Sequence, residues 1–243
     1  MTITTAMVLA AGLGTRMRPL TLDRPKALVE LGGRPLIEHG LDRLAAAGVR
    51  RVIVNVHAFA EALEARVARR TDLEISFSDE RARLLDTGGA LKKARPLLGD
   101  DPVFVLNIDS IWTEGGSAPT LTRLADAFDT RQMASLLLLA PTESLGFSGR
   151  GDFSLSAVVH DGGPGRLQHR GERASAPFAY AGAHVLDPRL IDAWPDGAFG
   201  LLGCWLEMQA QDRLWGLPLQ GRWMHVGDPV ALAAAESELA GVQ

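Results

Sequence analysis

The sequence predicts a single α/β domain built on a mixed, mainly parallel sheet with helices on both faces. Two observations carry that reading. Short apolar runs alternate with amphipathic stretches through the first half of the chain, the rhythm of strand–helix–strand units on a covered parallel sheet. No internal repeat, low-complexity tract or Pro/Ser-rich linker divides the 243 residues, and that length buries a full core without staples.

The elements follow in order. Met7 to Ala11 is an apolar strand candidate that ends in glycines. Pro35 to Ala47 places Ile37, Leu41 and Leu44 on one helical face, with Gly48 at the expected C-terminal position. Arg51 to Val56 reads as a strand, Ala58 to Arg69 as a helix carrying Phe59, Leu63 and Val67, and Leu73 to Phe77 as a strand. Gly89 to Leu98 is a further helix, and Val103 to Leu106 is a strand running into Asn107-Ile108-Asp109. The second half is less regular. Met133 to Leu139 is a continuous apolar strand; Asp152 to Val159 and Arg166 to His169 flank the turn signal Asp161-Gly162-Gly163-Pro164-Gly165. Phe178 to Leu186 is a strand containing Gly182, and Asp187-Pro188 opens a helix. Phe199 to Gln211 and Pro229 to Leu239 read as helices, with Trp223 to Val226 extended. The expected organisation is one domain over 1–243, with the hairpin region, around 145–175, inserted on its rim.

Composition narrows the function classes. Hydrophobic residues make up 47% and charged residues 22%, a globular balance rather than a disordered one. The 25 Lys and Arg against 29 Asp and Glu leave a net charge of −4, which argues against generic nucleic-acid binding but leaves room for a local basic pocket. The one cysteine, Cys204, allows no intramolecular disulfide and no cysteine-based metal site, and in an apolar helix it reads as a core residue. His39 and His57 have no partners at zinc-site spacing. The start lacks the basic region of a signal peptide, and no stretch reaches the roughly 18 apolar residues of a membrane span. The expected location is therefore the cytoplasm, with no membrane partner.

The most informative segment is Leu9-Ala10-Ala11-Gly12-Leu13-Gly14-Thr15-Arg16, continued by Pro19-Leu20-Thr21 and Pro25-Lys26. An apolar strand, then glycines, then cations is the layout of a phosphate-cradling loop: glycine admits an anion to the backbone N–H groups, and Arg and Lys add charge-assisted contacts. A dinucleotide fingerprint is excluded because Met17 holds the place of its third glycine, and a Walker loop because no Gly-Lys-Ser/Thr follows. Asp109 follows an apolar strand, where open α/β sheets place ligands. A carboxylate there either holds Mg²⁺ against substrate phosphates or caps a turn.

The spacing Gly12-x-Gly14-Thr15-Arg16-x-x-Pro19-Leu20-Thr21-x-x-x-Pro25-Lys26 resembles the signature of the sugar-1-phosphate nucleotidyltransferases, or nucleotide-sugar pyrophosphorylases. The resemblance runs from about Ile3 to about Leu239. It implies a Rossmann-like fold of the nucleotide-diphospho-sugar transferase type, with a nucleoside triphosphate and a sugar-1-phosphate as partners and Mg²⁺ as cofactor. Nucleotide contacts are implied for Ala11, Gly12, Gly14, Thr15, Arg16 and Lys26, with Arg16 on the leaving pyrophosphate and Lys26 at the reacting phosphates. The family's Asn-Gly-Asp stands here as Asn107-Ile108-Asp109, implying nucleotide contact for Asn107 and a metal for Asp109. The catalytic set implied is thus Arg16, Lys26 and Asp109. Asp86-Thr87-Gly88-Gly89 is similar to the family loop that approaches the nucleobase, so Thr87 and Gly88 are nucleotide-binding candidates; the same residues also suit a helix start.

Gly149-Arg150-Gly151-Asp152-Phe153 and Asn107-x-Asp109-x-x-Trp112-Thr113 resemble the N-acetylmuramate-1-phosphate uridylyltransferases of cell-wall recycling, short single-domain members. That resemblance places Asp152 and Gly182 at the sugar phosphate and implies UTP as the donor. Mannose-1-phosphate guanylyltransferases share the first signature and stand as an alternative. One departure is clear. The family's Trp-x-Asp-Val-Gly-Thr, whose aspartate is a second metal ligand, is here Trp223-Met224-His225-Val226-Gly227-Asp228. His225 then binds metal, meets phosphate as a cation or packs, and Asp228 caps the terminal helix before Pro229. The same departure motivates a third reading, a nucleotide-sugar sensor with weakened turnover. The sequence fixes neither the base, the sugar nor the oligomeric state.

Overall fold

The computed structural model describes residues 2–156 and 162–241. Among them the chain forms β1 (Thr5–Leu9), β2 (Glu30–Leu31), β3 (Arg34–Pro35), α1 (Leu36–Ala46), β4 (Arg51–Val56), α2 (Ala60–Val67), β5 (Glu74–Asp79) and α3 (Asp86–Leu98). There follow β6 (Val103–Asn107), β7 (Ser110–Trp112), α4 (Thr120–Ala127), β8 (Ser135–Pro141), β9 (Phe153–Leu155), β10 (Gly165–His169) and β11 (Phe178–Leu186). The chain closes with α5 (Leu201–Ala210), β12 (Leu214–Pro218), β13 (Trp223–His225) and α6 (Pro229–Ala240).

The main sheet has the order β5-β4-β1-β6-β11-β8-β12-β10-β9 among the described residues. β5, β4, β1 and β6 are parallel, β11 runs against both β6 and β8, and β8 is parallel to β12. Strand alternation sorts the core into two layers. Ala6, Val8, Val52, Val54, Phe104 and Leu106 face α1, α2 and α4, while Met7, Ile53, Val103 and Val105 face α3 and α5. A third cluster seats Met17 against Leu31, Leu36, Met224 and Val226. Met17 is fully buried, so the residue that breaks the glycine fingerprint anchors the loop from below.

Sequence and structure differ at several elements. The helix expected at Asp187-Pro188 is one 3-10 turn, Pro188–Ile191, because the Asp187 carboxylate accepts from the Arg189 N–H and closes the turn at once. α3 starts at Asp86 rather than Gly89, since Phe199 O accepts from the Gly88 and Gly89 N–H groups and fixes its first turn. The β9–β10 hairpin is present, with Leu167 opposite Leu155; the expected reach of its first strand to Val159, and Asp161 of its turn, lie outside the described residues. No helix among the described residues is long and apolar enough to cross a membrane.

The order β5-β4-β1-β6 positions the site. From β1 the chain steps outward to β4 and β5, then returns to the other side of β1 as β6. Such a reversal opens a crevice at the carboxyl ends of the two inner strands. The glycine loop leaves β1 there, and Asn107-Ile108-Asp109 leaves β6 there.

Candidate active site

A cavity of about 530 Å³ opens at this reversal, lined by the glycine loop on one side and by Leu84, Asp86 and Thr87 on the other. Of the residues singled out from sequence, Ala11, Gly12, Gly14, Thr15, Arg16, Lys26, Thr87, Asn107 and Asp109 all line it. Gly88, Asp152, Gly182 and His225 are not among its lining residues.

The glycine loop is shaped by close approach. Gly14 is in the left-handed region at φ +62°, and a Cβ there would meet Lys26 Cβ and Thr21 Cγ2 at 3.0 Å each. The Thr21 hydroxyl donates to Gly14 O at 2.8 Å, closing the loop on itself. Lys26 starts a 3-10 turn and is only 7% exposed, so the cation approaches the cavity from a packed wall. Its Nζ donates to Asp109 Oδ2 at 2.7 Å, and His225 Nε2 lies 3.5 Å from the same oxygen. Burial alone would raise the Asp109 pKa; the His225 imidazole and the Lys26 ammonium outweigh it and hold the carboxyl well below the usual carboxylate range. Asp109 therefore stands in the site as an ion-paired carboxylate. His225 stacks on Trp223, with ring centroids 5.7 Å apart and planes 17° apart. Gly227 follows, and any Cβ on it would press on the His225 ring at 3.1 Å.

The donor set limits what cation suits this place. Among the described residues no group of three or more His, Cys, Asp and Glu side chains could enclose a metal ion. One carboxylate, with an imidazole beside it, would suit a hard cation such as Mg²⁺ only if that ion drew most of its ligands from outside the protein. Asp109 would hold such an ion; the imidazole is a poor partner for it.

On the far wall, Asp86 holds φ +60° and its carboxylate accepts from the Thr87 N–H at 2.6 Å. The Thr87 hydroxyl accepts from Leu201 N–H, so it caps α5 rather than its own helix. Gly88 lies under Phe199, whose ring would sit 2.4 Å from a Cβ at that position. Packing is thus the structural reason for that glycine. Asp152 and Gly182 meet different neighbours at β11: Asp152 Oδ2 accepts from Tyr180 N–H at 2.9 Å, whereas Gly182, at φ +72°, passes Ser110 so closely that a Cβ would be 2.5 Å from Ser110 Cβ. Cys204 is buried, and burial pushes its thiol up to about 11, as suits a core residue. Asp228 Oδ1 accepts from Ala231 N–H and caps α6, as the sequence predicts.

Sequence reasoning missed two polar residues in the wall, Asn55 and Glu80, which are 4% and 0% exposed. Asn55 lies in the segment read only as a strand, and Glu80 in a stretch between the strand ending at Phe77 and Asp86. The available signal was a lone Asn inside the apolar run RVIVNV, a buried polar position that needs a partner.

Fold and site together define an α/β domain with a cation-bearing glycine loop at a sheet reversal. The family model described as nucleotidyl transferase matches residues 5–144, and the chain belongs to that family. It is 51% identical to the N-acetylmuramate alpha-1-phosphate uridylyltransferase of Caulobacter vibrioides, over 97% of this chain and 96% of that one. It is 33% identical to the protein of the same name from Neisseria meningitidis serogroup B, over 97% and 98%. The mannose-1-phosphate guanyltransferase of Candida albicans is 31% identical over 92% of this chain, which spans 61% of that protein. Among solved structures, a UDP-glucose pyrophosphorylase from Acinetobacter baumannii superposes with a TM-score of 0.83 at 18% identity, over 97% and 93% of the two chains, a likeness of fold. The expectation of a sugar-1-phosphate nucleotidyltransferase of Rossmann-like fold is borne out.

Proposed function

We propose that this chain transfers UMP from UTP to N-acetylmuramate 1-phosphate, releasing pyrophosphate, in the cytoplasmic recycling of cell-wall sugar. The observation that carries the chemistry is the Lys26–Asp109 pair at the cavity wall beside the glycine loop. The choice of substrates rests on the two uridylyltransferase relatives, each of which matches 97% of this chain.

The chemistry follows from the groups present. A sugar-1-phosphate oxygen attacks the α-phosphorus of UTP, a new P–O bond forms, and the α–β anhydride bond breaks with its electron pair leaving on pyrophosphate. A phosphate monoester, with a second pKa near 6, is already anionic at neutral pH, so no base is needed to activate it. The barrier is repulsion between anions and charge build-up on the leaving group, which positioned cations and N–H donors lower. Arg16 and the loop amides face the leaving pyrophosphate, and Lys26 neutralises charge at the reacting phosphates. Mg²⁺ held at Asp109 supplies further neutralisation of the triphosphate when bound. Asp152 and Gly182 shape the sugar-phosphate side, acting through the course of β11.

Pyrophosphate release tests this, with UTP or GTP as donor, N-acetylmuramate 1-phosphate or mannose 1-phosphate as acceptor, and Mg²⁺ throughout. The expected result is the highest kcat/KM for UTP with N-acetylmuramate 1-phosphate. Faster release from GTP and mannose 1-phosphate would overturn the substrate assignment. His225 at the second carboxylate position favours a second reading, a sensor; nucleotide binding without release for every pair would support it.

A further inference from the structure

We infer that Asn55 and Glu80 form a hydrogen-bonded strut that sets the spacing of the two loops gripping the nucleotide, and so are positioning residues for triphosphate binding. The inference rests on the reading of the cavity as the triphosphate site.

The strut is continuous. Asn55 Oδ1 accepts from the N–H groups of Ala10 and Ala11, at 2.7 and 3.3 Å, where β1 gives way to the glycine loop. The Asn55 Nδ2 group donates to Glu80 Oε1 at 2.8 Å, and Glu80 Oε2 accepts from Leu85 N–H at 3.0 Å, one residue before α3 and the Asp86-Thr87 wall. Glu80 itself is pinned: its N–H donates to Val56 O at 2.8 Å, and His57 Nδ1 lies 2.8 Å from its carbonyl oxygen. No ion pair to Glu80 occurs among the described residues, so its buried carboxylate is accommodated by hydrogen bonds.

The direction of every bond is forced. Both ends of the strut are backbone N–H donors, so the two side chains must accept at both ends and donate once between them. One amide and one carboxylate do this; two amides have too many donors, and two carboxylates have none. The native arrangement puts the amide on the glycine-loop side. The reverse, a carboxylate at position 55 and an amide at position 80, keeps the same shape and satisfies the same ends, with the amide now donating from position 80 to position 55.

That symmetry gives the test. UTP binding to the full chain is titrated calorimetrically for the parent, N55D, E80Q and N55D/E80Q, with a thermal melt of each. Each single variant leaves a buried donor or acceptor facing its like, a loss that is expected to weaken UTP binding about tenfold or more. The double variant is expected to recover affinity to within about threefold of the parent. If a single variant does not fold, joint recovery of fold and UTP affinity in the double variant supports the strut. Single variants that lose melting temperature but bind UTP like the parent would make the pair structural only and overturn the inference. A double variant that folds yet binds as weakly as E80Q would overturn it too. A parent that binds no UTP overturns the nucleotide reading itself, and the inference with it; that outcome is distinct from equal binding by parent and variants.

Discussion

Lys26 Nζ and Asp109 Oδ2 lie 2.7 Å apart although 83 residues separate them in the chain, and only 9% and 21% of the two side chains are exposed. The pair joins the first loop to the end of β6. A loop lysine in water contributes little to folding; this one is wall material. Both faces of its role can be tested.

Lys26→Ala removes the cation proposed to meet the reacting phosphates and leaves the Asp109 carboxylate with His225 beside it. We expect kcat to fall by about 10²-fold or more. The thermal midpoint should also fall, because a partly buried charge loses its counterion. Steady-state kinetics and a melt check this; near-normal turnover in a folded variant would remove Lys26 from the chemistry.

Asp109→Asn keeps the shape and removes the charge. Activity should fall sharply, and the Mg²⁺ concentration for half-maximal rate should rise, because a neutral amide is a weaker ligand for a hard cation. A metal titration of activity, set beside direct Mn²⁺ binding, reads both. An unchanged titration would reduce Asp109 to a partner of Lys26.

His225→Asp places a second carboxylate beside Asp109. If the imidazole stands in for a metal ligand, Mg²⁺-supported rate should hold or rise, and any preference for Mn²⁺ over Mg²⁺ should shrink. If His225 meets phosphate as a cation, KM for the triphosphate should rise instead. A lower melting temperature with flat metal and KM profiles would leave only the stacking on Trp223.

His184 yields a stability prediction. It is fully buried on β11, with Nδ1 2.7 Å from the Tyr180 hydroxyl, and burial lowers its pKa to about 3. In the unfolded chain an imidazole titrates near 6.5. Below that pH the unfolded state takes up the proton and the folded state does not. The contribution is therefore complete above about pH 6.5 and is lost as pH falls toward 3, at up to about 1.4 kcal/mol per pH unit. Denaturant unfolding of the parent and His184→Asn across that window should give a shallower pH slope in the variant. Equal slopes would show that His184 is protonated in the fold.

The legible part of this molecule was the part with local signals. β4, with its apolar run, and α1, with Ile37, Leu41 and Leu44 on one stripe and Gly48 at φ +84° beyond, carry their periodicity in consecutive residues. β12 is absent from the sequence reading, because Gly216 and Pro218 interrupt its apolar run. Gly216 is needed in the strand: a Cβ there would lie 2.6 Å from both Leu139 and Leu167 side chains, contacts that tertiary packing alone reveals. β7 escaped because only three residues, Ser110–Trp112, pair with β13 more than a hundred positions on. The site divides the same way. The glycine loop and Asp109 declare themselves by spacing, whereas Asn55 and Glu80 act through partners on other elements.

The order of synthesis gives the sheet a further property. The unit β5-β4-β1-β6 has all its strands once Asn107 has been made. β12 is different: it enters between β8 and β10, so those two strands keep open edges until Pro218 emerges. A ribosome-bound chain of intermediate length would thus already contain Lys26, Asn55, Glu80 and Asp109, with Trp223 and His225 still to come. The strands that carry the cavity are thus made first, its two lining loops gain the support of Phe199, Met224 and Val226 only afterwards, and the exposed strand edges persist until residue 218 has been made.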